Sequence, residues 1–134
     1  TMLKHFRFFF ILVFTLVQIT QISGQVQPQT AKDFFDKGLQ LMKERKFDEA
    51  LEAFRQSARL DASQPATRAN IGTVLSVLER RAEAVEAFRE AVRLAPQSAD
   101  FRAGLCKTLA YAGQLTEAFA ECRKAVELEE NSLL

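Results

Sequence analysis

The chain has 134 residues, with 18 Lys and Arg against 17 Asp and Glu and a formal net charge of +1. That length holds one domain with a continuous core rather than a two-domain enzyme, and a charge-mixed, nearly neutral surface offers no footprint for a phosphate backbone, which argues against nucleic acid as a partner. A single histidine (His5), no Trp and two distant cysteines exclude most catalytic, metal-binding and cofactor-holding constellations.

The first element in chain order is an apolar leader. Lys4 and Arg7 precede a run from Phe8 to Val17, and a polar-tinged stretch from Gln18 to Gly24 follows. A basic start, an apolar stretch and small residues before Gln25 form the pattern of an export signal occupying residues 1–26. The alternative is a retained membrane anchor. A helix from Phe8 to Ile22 spans about 22 Å, short of the roughly 30 Å hydrocarbon core. Carrying it on to Val26 immerses Gln18, Gln21 and Gln25, amides better placed against another protein than against lipid. Under either reading the basic start stays inside and the rest of the chain lies on the outer side of a membrane, periplasmic or extracellular. Membrane contact would then run through residues 8–26.

The remaining residues, 31–134, align with themselves at an offset of 34 as three ungapped copies: 31–64, 65–98 and 99–132. The matching columns are Gly38, Gly72 and Cys106; Leu41, Leu75 and Leu109; Ala50, Ala84 and Ala118; Phe54, Phe88 and Cys122; Ser57, Ala91 and Ala125; Leu60, Leu94 and Leu128. Within each copy apolar residues recur at spacings of three and four, which predicts two amphipathic helices joined by a short turn. The small columns have a packing cause: Gly38 or Gly72 and Ala50 or Ala84 let two backbones approach while Leu and Phe fill the flanks.

Helix starts carry their own signals. Thr30 and Asp33 have capping-box spacing, Ser63 precedes Pro65, and Ser98 precedes the third copy. Asp48 and Thr116 are placed to cap the second helices of copies one and three. Copy two has only Ala82 there, so its turn is expected to be the least well specified.

This pattern resembles the tetratricopeptide repeat family, whose unit is a 34-residue helix–turn–helix. The resemblance covers 31–132 and implies an all-α fold, helical hairpins stacked into a short right-handed α-solenoid. Arg68 and Arg102 depart from it at the column where Phe34 supplies the usual aromatic. Of the prolines expected near repeat ends only Pro96 is present, with Ala62 and Glu130 at its column in the other copies.

The resemblance also implies a concave groove lined by the first helix of each copy, receiving another protein. By position, the groove residues are Phe35, Leu39 and Met42 from copy one, Asn70, Thr73 and Val77 from copy two, and Lys107 and Tyr111 from copy three. Family members that clamp a C-terminal carboxylate need cations and amides in these columns. Here only Asn70 matches, Phe35 and Leu39 replace needed polar groups, and Asp100 would repel the ligand, so that mode is disfavoured. A second contact surface is expected on the last helix, where Phe119, Val126 and Leu128 have no following capping helix.

Cys106 and Cys122 fall on facing columns of the third hairpin, about equally far from its turn. Two readings stand: a disulfide closing a 16-residue loop, contributing about 3 kcal/mol on chain entropy, or two small buried hydrophobes. No C-x-x-C, glycine-rich phosphate loop, G-x-S-x-G or H-E-x-x-H motif occurs. The expectation is therefore a non-catalytic protein-interaction scaffold without cofactor or metal. It is either exported or, as the alternative, anchored as a structural subunit of a membrane complex.

Overall fold

The computed structural model describes Met2 and residues 29–132; the leader assigned to 1–26 thus lies, Met2 aside, outside the described residues. Among the described residues there are six α-helices and no strand: α1 (Ala31–Lys43), α2 (Phe47–Leu60), α3 (Pro65–Val77), α4 (Arg81–Leu94), α5 (Ala99–Tyr111) and α6 (Leu115–Ser132). They pair as three hairpins, α1 with α2, α3 with α4 and α5 with α6, and α2 packs on α3 and α4 on α5. Each hairpin thereby buries a face its two helices cannot bury alone, the general logic of a solenoid.

The glycine column sets how close the two helices of a hairpin come. A Cβ on Gly38 would lie 2.6 Å from Cε1 of Phe54, and one on Gly72 would lie 2.6 Å from Cδ2 of Phe88. Carbon atoms in contact sit about 3.5–4.0 Å apart, so each Phe ring fills the volume of the missing methyl. Phe54 is wholly buried and Phe88 nearly so. Phe35 meets the Phe54 ring edge-on, centroids 5.7 Å apart. One core gathers Leu41, Leu51, Phe54, Ile71, Val74 and Leu75, and a second gathers Val85, Phe88, Leu105 and Leu109.

The three hairpin turns are the same structure. After α1 the Arg45 N–H donates to the Met42 carbonyl (3.0 Å) and the Lys46 N–H to the Leu41 carbonyl (2.9 Å). Glu79 to Ser76 and Arg80 to Leu75 repeat this after α3, and Gly113 to Ala110 and Gln114 to Leu109 repeat it after α5. Such a Schellman arrangement satisfies the last carbonyls of the helix and requires a left-handed residue at its centre. Arg45 (φ 61°), Glu79 (φ 58°) and Gly113 (φ 80°) occupy that position. Copy two is therefore as well specified as its neighbours, contrary to the expectation drawn from Ala82, because the backbone pairing and not a side-chain cap defines the turn.

The same geometry corrects the capping assignments. Lys46 and Arg80 are the N-cap residues of α2 and α4 and make no side-chain cap bond. The Schellman turn is so short that the residue closing one helix opens the next, which puts Asp48 and Thr116 inside the first turns of α2 and α6. Gln64, not Ser63, is the N-cap of α3, with Pro65 at its start. The Ser63 hydroxyl instead donates to Asp61 Oδ1 at 2.6 Å in the connecting turn. Thr30 and Ser98 do cap: Thr30 forms a complete capping box with Asp33, and Ser98 accepts from the Phe101 N–H.

Left-handed backbone costs a non-glycine residue about 1 kcal/mol. Arg45→Gly and Glu79→Gly are each expected to stabilise the protein by about 0.5–1 kcal/mol. Gly113→Ala is expected to lower stability by about 1 kcal/mol, with no steric part because the site is open. Urea midpoints of the three variants measure all three effects.

Candidate interaction surfaces

The first helices α1, α3 and α5 carry the residues assigned to the groove. Between α3 and α5 lies a cavity of about 530 Å³ whose walls include Thr73, Val77, Lys107 and Tyr111. Four of the eight groove residues therefore meet at one place. Val77 is 50% and Tyr111 65% exposed, large values for apolar bodies, and the Lys107 ammonium stands 6.0 Å from the centroid of the Tyr111 ring. The floor is the Phe88 ring, and it is reachable because Gly104 beside it has no side chain; a Cβ there would overlap Phe88 Cε1.

The hydroxyls in this wall are turned inward. Thr73 donates to the Ala69 carbonyl (3.0 Å), Ser76 to Gly72 (2.9 Å) and Thr108 to Gly104 (2.8 Å). Their protons are committed to their own helices, so the wall offers shape and apolar contact more than free donors. Polar character comes from Lys107 and, at the rim, from Glu79 and Arg81, which pair with each other at 3.4 Å. Among the described residues Lys107 makes no ion pair.

The other four groove residues sit elsewhere. Phe35 lines a separate cavity of about 370 Å³ between the starts of α1 and α3. Leu39 and Met42 are partly buried and pack against the first core, so that end of the groove is less freely apolar than its sequence suggests. Asn70 is half-buried and outside the walls of the larger cavity. Sequence reasoning missed Phe88 and Gly104 as site residues. Gly104 falls in the column of Asp36 and Asn70, and that solitary glycine was the available signal.

The last helix is the second surface. Leu115, Phe119 and Val126 are 67%, 72% and 53% exposed, while Leu128 is half-buried. Its inner side is fixed by polar contacts. Arg102 donates to Glu121 Oε2 at 2.7 Å and to the Pro96 carbonyl at 3.0 Å, and Lys124 reaches Glu121 Oε1 at 3.0 Å. The Arg102 and Glu121 side chains are only 15% and 12% exposed, so this arginine is held by a shielded ion pair. Arg68 has no such partner, since Ala87 stands in the column of Glu121, and its buried Nε makes no hydrogen bond.

Cys106 and Cys122 are joined as a disulfide, with Cα atoms 5.2 Å apart. Cys106 is buried and Cys122 exposed. The bond takes the place that the Phe ring over glycine holds in the other two hairpins. Among the described residues no group of three His, Cys, Asp or Glu side chains is arranged to hold a metal, and no helix is long and apolar enough to cross a membrane.

Residues 66–98 match the family model of the tetratricopeptide repeat. No protein of curated function matches the chain in sequence. Among solved structures, MamA MSR-1 (C2) is similar at 27% identity with a TM-score of 0.72, over 78% of this chain and 60% of that one. MamA AMB-1 (P212121) is similar at 26% identity and TM-score 0.72, over 78% of this chain and 62% of that one. This chain thus spans less than two thirds of either. The second repeat domain of Spaghetti (RPAP3), bound to HSP90 peptide SRMEEVD, shares the fold at 22% identity and TM-score 0.72, over 75% of this chain and 93% of that one.

Two expectations follow. Burial raises the Glu121 carboxyl, but the Lys124 and Arg102 donors outweigh it and hold the group below the ordinary value of 4.5. A carboxylate depressed in the folded state contributes stability above its unfolded value and loses it as pH falls through the folded one. Wild type is therefore expected to exceed Glu121→Gln in stability at neutral pH, the gap closing below about pH 4, as denaturation series across pH measure. The second concerns the disulfide: protein isolated without reductant is expected to show no free thiol by mass spectrometry until reduced, and reduction to cost about 3 kcal/mol.

Proposed function

We propose that this array of tetratricopeptide-type hairpins is a non-catalytic interaction scaffold that holds an extended segment of another protein in the cavity between α3 and α5. The observation that carries this reading is the junction of two half-exposed apolar side chains, Val77 and Tyr111, with the ammonium of Lys107 between the two helices. A fitting ligand buries one apolar side chain over Phe88 and sets a carboxylate near Lys107, which also keeps the cation paired once water is displaced. The same fold holds a peptide in the Spaghetti repeats. That likeness supports the mode of binding and not the sequence bound, because the carboxylate-clamp columns here hold Phe35, Leu39 and Asp100.

The exposed face of α6, with Phe119 and Val126, is a second contact surface in this proposal. We place the module outside the cytoplasm, exported behind a cleaved leader; the leader pattern and the paired cysteines support that location. The second reading is a membrane-anchored subunit with the repeats as an extramembrane cap, favoured by the glutamines at 18, 21 and 25. Intact mass of the native protein separates the two: a mature start near Gln25 supports export, and a retained leader supports the anchored subunit.

Selection of peptides from a displayed random library is expected to enrich sequences with an acidic residue beside a large apolar one. Lys107→Glu and Tyr111→Ala should each weaken the selected peptides by about tenfold, typical of a contact costing 1–2 kcal/mol. Equal binding by wild type and both variants would remove the cavity as the site.

A further inference from the structure

We propose that the outer face of α6 receives a further helical hairpin of the same repeat type, one with an aliphatic first helix and a carboxylate in the first turn of its second. The proposal rests on reading α6 as a contact surface, and it is independent of what the α3/α5 cavity binds. Its ground is a comparison of the three copies column by column.

In the first two copies the following repeat covers this face. Leu51 and Val85 are 2% and 1% exposed, and Phe119 at the same column is 72% exposed. Phe54 and Phe88 are buried where Cys122 is open. Leu115, Phe119, Cys122 and Val126 run along α6 at spacings of four, three and four, a single apolar stripe. At Phe119, Cys122 and Val126 it is the surface α2 and α4 present to α3 and α5, left without its neighbour among the described residues, and Leu115 extends it at a column that holds the exposed Arg81 in α4.

Charge identifies what fits there. Arg55 reaches Glu83 across the first junction at 3.6 Å, and Arg89 reaches Glu117 across the second at 2.8 Å. Arg123 is the next residue of that arginine column, and its one ion pair among the described residues is with Glu127 of its own helix, at 4.0 Å. Both acceptors, Glu83 and Glu117, stand in the first turn of a second helix. A docked hairpin of this type brings both an apolar helix for the stripe and a carboxylate for Arg123.

A second copy of this chain does not fit by stacking its α1 on the stripe. Glu49 lies in the column of Glu83 and Glu117, but Lys37 and Gln40 replace the Ile71 and Val74 that α3 buries at its junction. An exposed ion pair contributes less than burying an unpaired ammonium costs. Nor do two α6 stripes suffice for each other. Facing each other they bring Arg123 no carboxylate, because the stripe of each carries none.

The probe is a fluorescein-labelled peptide of residues 65–98, which carries α3, α4 and Glu83, its helicity established by circular dichroism before it is titrated with the full chain. Saturable binding is expected, abolished by Phe119→Glu and weakened about fivefold by Arg123→Glu. Glu83→Arg in the probe should restore binding to Arg123→Glu, and Lys107→Glu in the full chain should leave it unchanged. Both altered residues of α6 are exposed, so neither change threatens the fold. The same hairpin fused in register after Ser132 should raise the urea midpoint, the gain vanishing with Phe119→Glu. Absence of both effects, or equal binding by Phe119→Glu, overturns the proposal. So does a wild-type dimer in sedimentation that Phe119→Glu dissolves, since the occupant is then a second copy.

Discussion

Everything in this fold depends on how closely the two helices of a hairpin approach, and that distance is set by an aromatic ring lying where a methyl group is missing. Phe54 over Gly38 and Phe88 over Gly72 fill the volume a Cβ would need. The contact buries the largest side chains of the two cores at the point where the backbones are nearest. It also fixes the angle at which the next hairpin arrives, since α3 packs on α2 and α5 on α4 beside these rings. Phe88 is held from two sides, by Gly72 within its hairpin and by Gly104 from the following one. The floor of the cavity is thus a structural residue first and a binding surface second.

The third hairpin solves the same problem with different chemistry. Its two columns hold Cys106 and Cys122, so a covalent bond replaces the ring-over-glycine contact. A disulfide fills far less volume than a phenyl ring and buries less apolar surface. The hairpin compensates with polar restraints found only there: Arg102 and Lys124 on Glu121, both bonds short and the first well shielded from water. In a solenoid each unit is stabilised by itself and by its neighbours. The last described hairpin has a neighbour on one side, and its internal restraints depend on oxidation and on an ionised carboxylate, conditions the first two hairpins do not share.

The 34-residue period, the six helices and the pairing of columns were legible in the sequence because each rests on a repeated residue. Gly38 with Gly72, and Leu41 with Leu75 and Leu109, fix both periodicity and packing. The turns were less legible. Arg45 and Glu79 give no hint of left-handed backbone, and only Gly113 does. Side-chain caps were expected at Asp48 and Thr116 because those residue types favour caps, yet backbone bonds to the Leu column close the turns first. Of the groove, Thr73, Val77, Lys107 and Tyr111 converge as their columns indicate, while Asn70 on α3 stays outside the cavity. Phe35, Leu39 and Met42 do not converge, because apolar side chains near a core are drawn into it.

The two ends of the array differ in a way that no single residue reveals. At α1 the columns that face a preceding unit carry Lys37 and Gln40, both exposed and polar, and the helix opens on a complete capping box. At α6 the columns that face a following unit carry Phe119 and Val126, with Arg123 beside them. Among the described residues the two faces therefore differ in what they can bury: the α1 face would strand an ammonium and an amide, whereas the α6 face offers a phenyl ring and a valine. The apolar face of α6 is the larger energetic liability in water, because an exposed aromatic of this size forgoes roughly 2–3 kcal/mol of burial. Its presence opposite a solvated α1 gives the array a direction, with association favoured at one end and opposed at the other.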